Sequence, residues 1–185
     1  MGVVPATART TEERLRAGWI HALGLPRIVS LCDTGDRLCQ RPVEGLDALF
    51  SGAEDATEIS LTGDWQRLEA GNLSVARLDL TLPDTDGAVE VAVRADADLT
   101  ERTVLRFYPR QRRLALDFSA ASVTPTSRRD TLWADIVPGA TDVTVFVDKS
   151  VVTVFTGKGE GFAFGTFPEG AAAGTAFVRG TRGAA

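Results

Sequence analysis

The sequence predicts an all-β protein, a two-sheet antiparallel sandwich or a barrel. Three observations carry this. From residue 56 onward, short runs alternate apolar and polar residues with a period of two. Turn-forming residues break those runs at short, regular spacing. Helical periodicity is almost absent, and many short strands with frequent turns define the sandwich and barrel architectures. The length of 185 residues fits one domain, or one domain with part of another. Hydrophobic residues at 44% and charged residues at 24% are the mixture of a folded globular chain, which excludes disorder, collagen and coiled coil as the main state.

Residues 1–17 read as polar and irregular. Ile28-Val29-Ser30-Leu31-Cys32 is a short apolar run, Asp33–Arg37 is turn material, and Leu38-Cys39-Gln40 follows before Pro42. This is a β-hairpin. With Gly35-Asp36 as its two-residue loop, Cys32 and Cys39 face each other across the strands. Two cysteines make no disulfide framework, so both are expected to be reduced thiols packed as small hydrophobes. Gly45–Phe50 reads as a helical turn, and Ser51–Asp55 as a linker that sets a boundary between residues 1–50 and 55–180. Leu73–Leu82 alternates with a phase shift near Ala76, which predicts a bulge. Val89–Arg94 alternates cleanly. Thr103–Tyr108 and Arg113–Phe118 form a hairpin around Pro109–Arg112. Leu132–Val137 is a strand ended by Pro138-Gly139. Val143–Val147 and Val151–Phe155 flank Asp148-Lys149-Ser150 and make the strongest hairpin in the chain. Phe162–Phe167 follows, and the tail adds a short strand near Thr175–Val178. The expected core is Leu78, Leu80, Val91, Val93, Leu105, Phe107, Leu114, Leu116, Val145, Val147, Val152, Val154, Phe162 and Phe164.

Composition limits the chemistry. One histidine, His21, and two cysteines cannot supply a four-ligand His/Cys zinc site. No G-x-S-x-G elbow or P-loop is present. Carboxylates are plentiful, so acid/base work by an Asp/Glu pair stays open on numbers. The net charge of −5 argues against a nucleic-acid partner and favours a neutral or cationic one, and a sugar is neutral. No apolar run approaches the roughly 20 residues that span a bilayer, so no membrane partner is expected. The N-terminus lacks a basic start and an apolar stretch, which places the protein in the cytoplasm if Met1 is the true start. Trp19, Trp65 and Trp133 read as packing residues or as platforms for sugar rings. His21 reads as a packed structural residue or as a contact to sugar or phosphate. Arg110-Gln111-Arg112-Arg113 reads as a solvated hairpin tip.

Three segments carry a resemblance to a known family. Gly18-Trp19-Ile20-His21-Ala22-Leu23-Gly24-Leu25-Pro26-Arg27 resembles a G-W-x-H-x-L-T-L-P-R segment. Arg37–Leu46 resembles an L-x-Q-x-P-V-x-E-L run. Phe146-Val147-Asp148-Lys149-Ser150-Val151-Val152-Thr153-Val154-Phe155 is similar to an F-V-D-x-S-V-x-E-V-F hairpin. In this order and spacing they resemble glycoside hydrolase family 32, the β-fructosidases: invertases, sucrose-6-phosphate hydrolases, levanases and inulinases. Departures from the family pattern are Ile28 for Glu, Gly24 for Thr, Thr153 for Glu, and Asp117-Phe118-Ser119 for a D-R-S-type turn.

The resemblance implies that residues 1–50 are strands from the last blade of a five-bladed β-propeller catalytic domain. It implies that residues 55–180 are the accessory sandwich, a concanavalin-like jelly roll. The family's N-D-P-N, R-D-P and E-C motifs do not occur, so no catalytic, cofactor or metal residue is assigned and the chain alone is expected to be inactive. Met1-Gly2 fits the M-G of a family strand, so Met1 reads as an internal methionine or as a fragment boundary. The implied parent hydrolyses a β-fructoside, tilted toward the sucrose-6-phosphate hydrolase type. Implied partners are a carbohydrate, the upstream propeller domain and a second copy in a homodimer; Trp19 and His21 are the candidate sugar contacts. The alternative is an autonomous, lectin-like carbohydrate-binding sandwich using exposed tryptophans. The leading hairpin is expected to make the full chain associate, and removal of residues 1–50 to leave a more monomeric sandwich.

Overall fold

The structure, a computed structural model, describes residues 2–5, 10–50, 58–122, 130–169 and 174–181. It opens with β1 (Val3–Pro5), a short helix α1 (Thr11–Ala17) and β2 (His21–Leu23), then the hairpin β3 (Arg27–Leu31) and β4 (Leu38–Pro42) and a 3-10 turn at Leu46–Leu49. The sandwich strands follow: β5 (Gln66–Arg67), β6 (Val75–Thr81), β7 (Ala88–Ala95), β8 (Arg102–Tyr108), β9 (Arg113–Ala120), β10 (Thr131–Asp135), β11 (Asp142–Asp148), β12 (Val151–Thr156), β13 (Gly161–Gly165) and β14 (Thr175–Thr181). They form an open two-sheet antiparallel sandwich, with a six-stranded sheet ordered β10-β9-β8-β7-β14-β5 and a four-stranded sheet ordered β13-β12-β11-β6. β1–β2 and β3–β4 are separate two-stranded pairs ahead of it.

Period-two alternation places the core between the sheets. From the six-stranded sheet come Val91, Val93, Leu105, Phe107, Leu114 and Leu116; from the four-stranded sheet come Val145, Val147, Val152, Val154 and Phe164. Leu78, Leu80 and Phe162, expected in the core, are only partly buried and pack against its margin, because β6 and β13 are the edges of the smaller sheet. The hairpin read as strongest is present, but its turn is the two residues Lys149-Ser150 instead of the three read at Asp148-Lys149-Ser150, and β11 runs one residue further. Asp148 pairs with Val151, and Lys149 takes the left-handed backbone (φ 50°) that turns the chain over.

Two expectations for elements are corrected. Residues 1–17 are not irregular throughout. Val3–Pro5 is a strand paired with β2, and Thr11–Ala17 is a helix. Its signal was present as a capping box: Thr10 and Glu13 each bond the other's backbone N–H, and Gly18 ends the helix in the left-handed region. The bulge expected near Ala76 is absent. β6 pairs with β11 in unbroken register from Val75 to Thr81. The apparent phase shift arises because Leu73 lies in the preceding turn and Val75, half-exposed, starts the strand on the outer face. The register shifts instead between Arg102 and Val104 and between Thr175 and Phe177. The linker read at Ser51–Asp55 lies outside the described residues.

Val152 has no solvent exposure and sits in the centre of the core. Val152→Asp is expected to cost more than about 4 kcal/mol, since it buries an unpaired carboxylate. Lys149→Ala, at an exposed turn, is expected to stay within about 0.5 kcal/mol of the parent. Urea midpoints of the two variants check both, and equal midpoints would mean that the strand register is wrong.

Candidate functional site

The four-stranded sheet is covered on its outer face as well. Phe146 on β11 and Phe155 on β12 stand on that face with 1% and 3% exposure, because Leu46 of the 3-10 turn packs on them with Leu25, Val43 and Phe50. The Phe50 and Phe155 rings lie 5.5 Å and 6.1 Å from that of Phe146. Every residue of β12 is consequently buried. The leading segment is therefore docked on the sandwich through an apolar joint.

Polar contacts ring the joint. The Gln40 backbone N–H donates to Gly159 O at 2.8 Å, and Arg37 Nη2 donates to Lys158 O at 2.6 Å. Glu160 Oε1 accepts from the Val137 N–H at 3.1 Å and pairs with Arg37 at 3.4 Å, while its Oε2 is bonded by the Thr156 hydroxyl. Arg27 donates to Gln40 Oε1 at 2.8 Å and lies 5.7 Å from the Phe155 ring centroid. Gly159 adopts φ +91°, and a side chain there would collide with Cys39. Glycine meets both demands.

The cysteine expectation is corrected. Cys32 and Cys39 are joined in a disulfide, with Cα atoms 5.1 Å apart. Leu31 pairs with Leu38, so the loop spans residues 32–37 instead of the two residues Gly35-Asp36. This shift makes the cysteines diagonal neighbours, close enough to bond. The hairpin expected to expose itself is held by the joint, so removing residues 1–50 would uncover Phe146 and Phe155. Part of the expected apolar exposure is present: Leu23, Val29, Leu31 and Leu38 are each more than half exposed on the leading strands.

Of the two candidate sugar contacts, Trp19 is half-buried with its ring 5.8 Å from Phe167, and His21 is exposed at the start of β2. Among the described residues no group of three His, Cys, Asp or Glu side chains is placed to hold a metal. Arg110, read as a solvated hairpin tip, is exposed and ion-paired to Asp84 and Asp86, each at 2.9 Å.

A second polar assembly, not anticipated from the sequence, lies on the outer face of the six-stranded sheet. Glu90 is 4% exposed and receives the Nε of Arg106 and of Arg179, each at 2.6 Å. Arg106 Nη2 also meets Asp117 at 2.6 Å. Burial alone would raise the Asp117 carboxyl. The backbone N–H and hydroxyl of Ser119 and the Arg106 guanidinium outweigh it and hold the group below the usual carboxylate range. Alternation could have placed these residues on one face, but their pairing needed the strand order.

Comparison with known proteins agrees with this architecture. Residues 46–182 match the profile described as Glycosyl hydrolases family 32 C terminal. The chain is 27% identical over 145 residues to the sucrose-6-phosphate hydrolase of Staphylococcus xylosus, covering 77% of this chain and 28% of that protein. Its fold matches fructan 1-exohydrolase IIa of Cichorium intybus with a TM-score of 0.82 at 18% identity, over 96% of this chain and 41% of that one. It matches exo-inulinase of Aspergillus awamori with a TM-score of 0.68 at 21% identity, over 89% and 34%. The chain thus spans less than half the length of these proteins. Sandwich and leading strands together define a β-sandwich domain of the C-terminal class. The chain belongs to the C-terminal domain family of glycoside hydrolase family 32.

Two outcomes are expected. Thiol titration of denatured, unreduced protein should find no free thiol, and reduction should cost about 2 kcal/mol of stability for so short a loop. Two free thiols would refute the disulfide. Because its folded pKa is lowered, the stabilisation from Asp117 is full above the ordinary value of 3.8 and is lost as pH falls through the folded value. Asp117→Asn should therefore cost about 1–3 kcal/mol at neutral pH, and its deficit should shrink in acid, as read from urea midpoints at the two pH values.

Proposed function

We propose that this chain serves as the accessory C-terminal domain of a β-fructofuranosidase-type glycoside hydrolase. The parent reaction is hydrolysis of a terminal β-fructofuranosyl bond in sucrose, sucrose 6-phosphate or a fructan. The observation that carries this reading is the joint: the second sheet is covered by the 3-10 turn and by residues flanking two strand pairs with unfilled edges. β1–β2 and β3–β4 are each only two strands wide, and a lone pair of strands is marginal in water. Their exposed Leu23, Val29, Leu31 and Leu38 suit further strands of a larger sheet. In this reading residues 1–50 complete the last blade of an upstream propeller, and residues 55–180 brace it.

The relative named as a sucrose-6-phosphate hydrolase supports the sucrose 6-phosphate form of the parent. Retaining hydrolysis needs two carboxyl groups about 5–5.5 Å apart across the sugar. The sequence motifs that would carry them are absent from this chain. The propeller is therefore the seat of catalysis, and the sandwich supplies stability and a surface for a homodimer. His21, exposed on β2, is the sugar-contact candidate that the burial pattern favours. The packing of Trp19 on Phe167 supports a bracing role beside it. The cytoplasmic expectation sits against the Cys32–Cys39 bond, because disulfides are rare in the cytosol.

The purified chain is expected to release no fructose from sucrose, sucrose 6-phosphate or levan above a mock preparation. The coding sequence upstream of residue 1 is expected to continue in frame through N-D-P-N, R-D-P and E-C motifs. Fructose release by the chain, or a stop codon and ribosome-binding signal directly before Met1, would overturn the reading.

A further inference from the structure

The Cys32–Cys39 bond lies at the margin of the joint, where the leading hairpin meets the β12–β13 turn. Cys39 is half-buried, and its sulfur rests on the backbone of that turn. Lys158 O is 3.6 Å from Cys39 Sγ, and a Cβ on Gly159 would stand 2.4 Å from it. The next residue, Gln40, donates its N–H to Gly159 O. The same bond closes the loop that follows β3. Two backbone contacts shape that loop: the Cys32 N–H donates to Arg37 O at 2.9 Å, and the Gly35 N–H donates to Cys32 O at 2.8 Å. Residues 33–36 are exposed.

Arg37 carries the position of this loop across the joint. It donates to Lys158 O and pairs with Glu160. Glu160 also accepts from the Val137 N–H, just beyond β10, and from the Thr156 hydroxyl at the end of β12. β10 belongs to the larger sheet and β12 to the smaller. A loop closed by one covalent bond therefore reaches, through one arginine, a carboxylate that is tied to both sheets.

We propose that Cys32–Cys39 is a redox-operated latch: as the disulfide it holds the leading hairpin on the sandwich, and a dithiol reductant releases it. The inference does not rest on the catalytic reading above. Exchange starts at Cys39, the more accessible of the two, since Cys32 is only 7% exposed. A thiolate of the reductant bonds Cys39 Sγ, the Sγ–Sγ bond breaks, and Cys32 leaves as a thiolate that takes a proton. The second thiol of the reductant then displaces Cys39, which also leaves as a thiolate and takes a proton. The reductant departs as its own disulfide, so two electrons and two protons have entered the protein. Unbonded sulfurs must stand at van der Waals separation instead of a bond length. Motion of Cys39 toward the sandwich meets the turn at residues 158–159, and motion of Cys32 away from it opens the loop that presents Arg37. Either movement loosens the Arg37 contacts. A plain staple acts differently: closing so short a loop restrains the unfolded chain, which affects every region alike.

Native-state hydrogen exchange of the full chain tests this, before and after treatment with dithiothreitol without denaturant. Alkylation and mass spectrometry count the thiols released. The expected result is two thiols, with exchange in residues 27–42 accelerated about tenfold or more beyond that in 151–156, through lost bonds to charged groups. Reoxidation with glutathione disulfide should restore slow exchange. Joint replacement Cys32→Ser and Cys39→Ser should reproduce the reduced pattern without reductant. In Arg37→Gln the difference between oxidised and reduced protein should shrink, because the link is already cut. No thiol released without denaturant, equal acceleration in 27–42 and 151–156, or an undiminished difference in Arg37→Gln would overturn the proposal. None of these outcomes bears on fructose release or on the upstream reading frame.

Discussion

The two-sided burial of the β11–β12 hairpin is the constraint on which the rest of the structure depends. Its inner residues Val145, Val147, Val152 and Val154 fill the space between the sheets. Its outer residues Phe146 and Phe155 are covered by Leu46 and its neighbours from the leading segment. An ordinary antiparallel sheet has one dry and one wet face. Here the smaller sheet has two dry faces. Burying two phenylalanines on the second face is worth about 1.5–3 kcal/mol each, enough to hold a segment whose own strand pairs are too narrow to stand alone.

The other features of the joint follow from that docking. Backbone groups brought to the margin must be bonded, and the Gln40–Gly159 contact, Arg37 and Glu160 serve this. Close approach of the β3–β4 hairpin to the β12–β13 turn requires glycine at position 159. The Cys32–Cys39 bond closes the loop that presents Arg37 to the turn, so a local covalent link and a distant ion pair act on one hairpin. The outer face of the larger sheet carries the ion pairs of Glu90 with Arg106 and Arg179.

Much of the sandwich was legible in the sequence because period-two alternation reports directly on which side chains face inward. The inward faces of the β11–β12 hairpin, Val145 and Val147 opposite Val154 and Val152, were legible for that reason, while the turn itself is one residue shorter than read. Less was legible where the chain departs from strand periodicity. The helix at Thr11–Ala17 has no buried residue, so it lacks an apolar stripe and shows itself only by its caps. The cysteines were misread because a count of two does not report whether a hairpin brings them together; a two-residue shift of register makes them the diagonal neighbours that the bond joins. The joint was hidden because Phe146 and Phe155 sit at outward positions, where alternation predicts solvent. The Glu90–Arg106–Arg179 ion pairs were hidden because β14 lies beside β7 in an order that is not sequential.

The central claim is that the leading segment and the sandwich form one cooperative unit through the outer face of β11–β12. Native-state hydrogen exchange of the full chain, read by peptide, tests it most directly. The account predicts that the β3–β4 amides between residues 27 and 42 are protected to nearly the same free energy as those of residues 151–156. It also predicts that Phe155→Ala lowers both together. Fast exchange in 27–42 while 151–156 stays fully protected, or a Phe155→Ala effect confined to one of the two, would contradict it.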